Sequence, residues 1–109
     1  YIELQKNEIN IMSSELQKEE NHRQLRLNLY QLYANLEKSR KSLKTSKRSV
    51  EFAEENYRIS SNRYENGLAT TIDLLDSQIQ LYQSKLDALQ AYRDYILAGY
   101  SLKRILGKY

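Results

Sequence analysis

Few side chains in this sequence are typed and spaced for chemistry. Asp73 and Asp76 fall where the first turns of a helix are expected. Carboxylates there stabilise the positive end of the helix by about 0.3–1 kcal/mol, whatever else they do. Glu19 and His22 have the Glu-x-x-His spacing of di-iron bundles, but His22 is the only histidine and such a site needs two of these motifs plus further glutamates. No metal site is therefore expected. Lys38, Arg40, Lys41, Lys44, Lys47 and Arg48 form a basic run with no acid among them. They flank a regular apolar seam and no groove-reading motif accompanies them, so they read as a solvated helix face, with no nucleic acid as partner. Neither a nucleophile–base pair, a phosphate loop nor a cofactor motif occurs, which points away from an enzyme and from any cofactor.

The elements that carry these residues are long helices. The chain has 109 residues, no proline, no cysteine, no tryptophan and three glycines. A compact globule of that length needs several turns, and so few breakers do not supply them. Phe52 and Met12 are the only residues of their types, so a compact aromatic core is poorly supplied. No stretch approaches the roughly 20 apolar residues of a transmembrane helix. The chain does not begin with methionine and is expected to be a piece of a longer protein. The lack of cysteine excludes a disulfide scaffold and a thiolate metal site.

Periodicity locates the helices. Leu29, Leu32, Leu36, Ser39, Leu43, Ser46, Val50, Ala53, Tyr57, Ser60 and Tyr64 advance by alternating threes and fours, a heptad seam. Large residues alternate with small ones along most of it, which suits close packing against another helix. Upstream, Gln17–Gln24 is almost wholly polar but contains no breaker, so one helix with a shifted seam is expected over residues 1–66. Asn66-Gly67 is the one clear break. Residues 67–70 form the turn, Thr70 and Asp73 make a capping-box-like pair, and a return helix over 71–106 ends with Gly107 at its C′ position and a 107–109 tail. Gly99, inside that helix, is expected to mark close helix packing.

The return helix has two apolar stripes. Ile72, Leu75, Ile79, Tyr82, Leu86, Leu89 and Ile96 make one; Leu74, Leu81, Ala88, Tyr92, Tyr95 and Leu102 make the other. Leu36, Leu43, Val50, Ala53, Tyr57 and Tyr64 on the first arm, with Ile72, Leu75, Ile79, Tyr82, Leu86 and Leu89 on the second, are the expected inter-helix packing residues. At 1.5 Å per residue the arms measure about 95 Å and about 54 Å, leaving an overhang of about 40 Å. A two-helix hairpin covers one stripe of the second helix, so further helices are implied. The expected fold is all-α, a long antiparallel coiled-coil hairpin.

The run from Arg63-Tyr64-Glu65-Asn66-Gly67 through Thr71-Ile72-Asp73-Leu74-Leu75-Asp76-Ser77-Gln78 resembles the periplasmic tip of TolC-type outer-membrane efflux proteins. Leu81, Ala88, Arg93-Asp94-Tyr95, Ala98, Leu102 and Leu106-Gly107 continue that pattern, so specific matching covers about 45 residues. The resemblance implies a homotrimer with a barrel in the outer membrane and an α-helical tunnel across the periplasm, acting in efflux or type I secretion. The barrel would anchor the parent protein, and a periplasmic adaptor would link it to an inner-membrane transporter. Asp73 and Asp76 would face the axis at the entrance, where three-fold symmetry gathers six carboxylates and favours cation binding. Asn66, Gly67, Leu68, Ala69 and Thr70 would form the adaptor-docking tip. The turn departs from the family at Asn66, where valine is common, and at Ala69, where some members carry a basic residue. Two alternatives remain at this stage, the hairpin of a periplasmic adaptor and a cytoplasmic coiled-coil scaffold. The adaptor reading fits less well, because the turn carries an aspartate pattern rather than an arginine-leucine tip.

Overall fold

The computed structural model describes residues 1–108; Tyr109, the last residue of the expected tail, lies outside them. Helix α1 spans Ile2–Glu65 and helix α2 spans Thr71–Lys108, with no strand among the described residues. The two fold back on each other into a rod of 98 × 20 × 13 Å. Sixty-four residues at 1.5 Å each account for nearly the whole of that length. Helix α1 runs unbroken through the polar Gln17–Gln24 stretch, as its helix formers require.

The turn is built from two local motifs that meet. Gly67 has φ +72°, the left-handed region, and it is the only residue with positive φ among those described. Its N–H donates to the Tyr64 carbonyl at 3.1 Å, and the Leu68 N–H donates to the Arg63 carbonyl at 2.7 Å. This Schellman pair satisfies carbonyls that the end of α1 would otherwise leave open. Two residues later the capping box closes. The Asp73 N–H donates to Thr70 Oγ1, and the Thr70 N–H donates to Asp73 Oδ2, both at 3.2 Å. The reversal is thus fixed by backbone and cap chemistry, before any packing.

Helix α2 does not stop at Leu106. It continues through Gly107 to Lys108, and Gly107 is not left-handed, so its expected C′ role is corrected. The two glycines should respond oppositely to alanine. Gly67→Ala places a Cβ in a left-handed conformation and should destabilise the protein by about 1 kcal/mol. Gly107→Ala adds a helix former in open space and should stabilise α2 by up to about 1 kcal/mol. Thermal unfolding of both variants checks the pair of signs. Gly99 also needs correcting: a Cβ there meets nothing within 4 Å, so nothing inside the hairpin demands glycine.

The half-buried positions of α1 begin at Leu25. Leu29, Leu32, Leu36, Ser39, Leu43, Ser46, Val50, Ala53, Tyr57 and Ser60 are all half-buried, while residues 1–24 are exposed without exception. Tyr64, at the turn end of the stripe, is exposed. On α2 the covered positions are Leu74, Ser77, Leu81, Ser84, Ala88, Ala91, Tyr95, Ala98, Leu102 and Ile105. They too advance by threes and fours, and through Ala98 the positions between the seven-residue steps are small. Shared grooves show the pairing, with Leu36 beside Leu102, Val50 beside Ala88 and Ser60 beside Ser77.

This arrangement corrects the expected packing set. Ile72, Leu75, Ile79, Tyr82, Leu86 and Leu89 do not pack on α1; each is at least 50% exposed. The reason is close approach. Small residues bring two helices together, whereas a stripe of Ile, Leu and Tyr holds them apart. Serine suits the covered layer because it satisfies itself. Ser77 and Ser84 each donate a 2.8 Å hydrogen bond to the carbonyl three residues back, at Leu74 and Leu81. Ser77, 8% exposed, is the one buried residue among those described, and no buried side-chain polar atom there lacks a partner.

The hairpin stands far from self-sufficiency. Its accessible surface is 9488 Å², against about 6300 Å² for a compact monomer of its mass. No hydrophobic side chain among the described residues is fully buried. Ile72, Ile79, Tyr82 and Leu89 are among the large apolar side chains left open to solvent.

Candidate functional site

The tip brings together Asp73 and Asp76. A groove of about 460 Å³ opens just above the turn. Its α1 wall carries Asn56, Ile59, Ser60 and Arg63; its α2 wall carries Asp73, Asp76, Ser77 and Gln80, with Ala69 at the floor. The capping box holds Asp73 at the start of α2, and one helical turn on, Asp76 lies on the same flank. Sequence reading placed these two carboxylates but missed that Arg63 and Gln80 share their groove. The signal was present in the spacing, since Ser60 and Arg63 before the turn mirror Asp76, Ser77 and Gln80 after it.

Electrostatically the groove is open on the acidic side. The ion pairs among the described residues lie elsewhere, at Arg40–Glu37, Arg58–Glu55 and Arg93–Asp94. Arg58 grips Glu55 through two hydrogen bonds, one of 3.1 Å from Nε, and this holds the Glu55 carboxyl below its ordinary value. Arg40 is raised chiefly by its 3.1 Å hydrogen bond from Nη2 to Glu37. Arg63 makes no ion pair within 4.0 Å among the described residues, so Asp73 and Asp76 are not locked to it. No three acid, histidine or cysteine side chains converge as metal ligands among them. Glu19 and His22 are exposed on the overhang. One copy of the tip therefore presents carboxylates and amides to solvent without enclosing a ligand.

Asn66, Gly67, Leu68 and Thr70 are exposed at the end of the rod, and Ala69 is half-buried. Leu68 is 68% exposed, an apolar side chain at the extreme tip with no partner in the hairpin. Along α2, the exposed Ile72–Leu89 stripe runs upward from that tip. Another groove, about 550 Å³, lies midway along the flank between Leu43, Val50, Ala88, Leu89 and Tyr92. None of the described helices is long and apolar enough to cross a membrane.

The chain is a long antiparallel coiled-coil hairpin with a capped tip and one apolar face of α2 left uncovered. Its family follows from comparison with known proteins. The model of the outer membrane efflux protein family matches residues 3–108, and the chain belongs to that family. Proteins of this family are outer-membrane efflux channels, trimeric, working with adaptors and inner-membrane transporters. Searches of curated proteins and of solved structures gave no significant match. Membership sets aside the adaptor-hairpin and cytoplasmic-scaffold readings.

Proposed function

We propose that this chain is a periplasmic hairpin of a trimeric outer-membrane efflux channel, with an acidic entrance constriction and an adaptor-docking tip. The observation that carries the proposal is the unmatched apolar face of α2, leading down to a tip that bears two unpaired aspartates. A lone hairpin has no use for Ile72, Leu75, Ile79, Tyr82, Leu86 and Leu89 in water, each of which gains about 1.5–3 kcal/mol when buried. A tunnel wall uses them, because each hairpin there has neighbours on both flanks. Three-fold symmetry brings Asp73 and Asp76 of three copies toward one axis. Efflux and type I secretion both fit such an entrance.

At the very end, Leu68 is the anchor that a partner protein takes up, framed by Asn66, Ala69 and Thr70. The family brings the adaptor as that partner, and an inner-membrane transporter behind it. A photo-crosslinking residue at Leu68 of the full-length channel in cells should capture a periplasmic adaptor, and the same residue at Phe52 should not. Failure to capture one from any position between Asn66 and Thr70 would overturn the docking role.

A further inference from the structure

The positive charge of this chain is concentrated in one place. Of its 17 basic residues, six lie within the eleven residues Lys38–Arg48, with no acid between them; without those six the chain, at +3 overall, would be net negative. The structure resolves where they point. Leu36, Ser39, Leu43 and Ser46 of the same segment are half-buried toward α2, and Lys38, Lys41, Lys44, Lys47 and Arg48 are exposed. Arg40 is held by Glu37, but the other five make no ion pair among the described residues. Five cations without an ion pair therefore stand along about 15 Å of one helix.

The character of the face selects its partner. Arg40, Ser42 and Thr45 are the other exposed residues of the segment, so it offers hydroxyls and cationic groups without an exposed apolar side chain of its own. Protein interfaces have an apolar core and are depleted in lysine. Single-stranded nucleic acid is held by stacking on aromatic side chains, and this segment has none. A membrane-surface helix needs an apolar face free to enter lipid, and here that face is taken by α2. A hydrated polymer that bears repeated carboxylates remains. We propose that the Lys38–Arg48 face binds an anionic glycan–peptide polymer of the bacterial cell-wall type through the carboxylates of its peptides. The inference rests on the periplasmic reading above and extends it, fixing the channel against the wall that it must pass through.

The test is co-sedimentation of the full-length trimer with purified cell-wall sacculi. The parent should sediment with them at low salt and be released at about 0.5 M NaCl, where the screening length falls to a few ångströms. The variant carrying Lys38→Gln, Lys41→Gln, Lys44→Gln, Lys47→Gln and Arg48→Gln keeps helix-forming side chains and should bind about tenfold more weakly. Sacculi with amidated carboxyls should lose the parent as well, which tests the contact without altering the protein. Equal sedimentation of variant and parent, equal binding to amidated sacculi, or preferential capture by a DNA duplex would each overturn the inference. Bilayer conductance of the same preparations separates the two claims: a conducting trimer that ignores sacculi refutes the cell-wall contact alone, and a trimer that does not conduct refutes the channel reading.

Discussion

Replacing Ile79 and Leu86 together by aspartate is expected to leave the hairpin helical and to abolish the trimer. Both side chains lie on the α2 stripe that α1 does not cover, 61% and 54% exposed. The covered stripe through Leu81, Ser84 and Ala88 is untouched by the change, so helix content should hold. In the proposed channel wall the same positions would be buried. Each replacement then forfeits about 1.5–3 kcal/mol of apolar burial and adds the cost of an unpaired buried charge. Two sites in three copies make the total far larger than the stability margin of an ordinary assembly. Mass measurement of the detergent-extracted protein should show monomers. Gln80→Asp, exposed and about 100° around the helix from Ile79, should remain trimeric and controls for the added charge. A trimer formed normally by the double variant would mean that this stripe faces solvent in the channel.

That stripe also marks the limit of what the sequence disclosed. The α1 seam, the break at Asn66-Gly67 and the Thr70–Asp73 cap were legible because each rests on local rules, namely heptad spacing, left-handed glycine and reciprocal capping. Which face of α2 meets α1 was not legible from hydrophobicity, because α2 is apolar on two sides. The deciding factor was residue size. Ser77, Ser84, Ala91 and Ala98 let the helices approach closely, and the larger residues of the other stripe were left outside. Gly107 misled for a related reason, since a glycine near a helix end permits a left-handed stop without requiring one. Residues 2–24 have no helix beside them in this hairpin, so no covered face can be assigned there. At the tip, sequence spacing placed Asp73 and Asp76 together, but their shared groove with Arg63 emerged only when α1 was folded back beside them.

The acid pair carries the other large effect. Asp73 has two duties that must be separated, since its carboxylate accepts the Thr70 N–H as well as supplying charge. Alanine would remove both. Asparagine keeps an acceptor oxygen for the cap and removes only the charge, so Asp73→Asn with Asp76→Asn is the informative variant. In water a unit charge about 4 Å from a carboxylate gains or loses about 1 kcal/mol according to its sign. A cation is thus favoured over an anion by about 2 kcal/mol at each such carboxylate, and three-fold symmetry supplies six of them. Neutralising all six should lower the cation-to-anion permeability ratio by about tenfold or more.

The direct measurement is the reversal potential of the full-length channel in a planar bilayer under a potassium chloride gradient, with and without the double asparagine substitution. The unmodified channel should reverse near the potassium potential, and the variant, still trimeric and still open, should reverse close to zero. An unchanged reversal potential in the assembled variant would contradict the entrance ring, and with it the placement of this hairpin tip at the channel mouth.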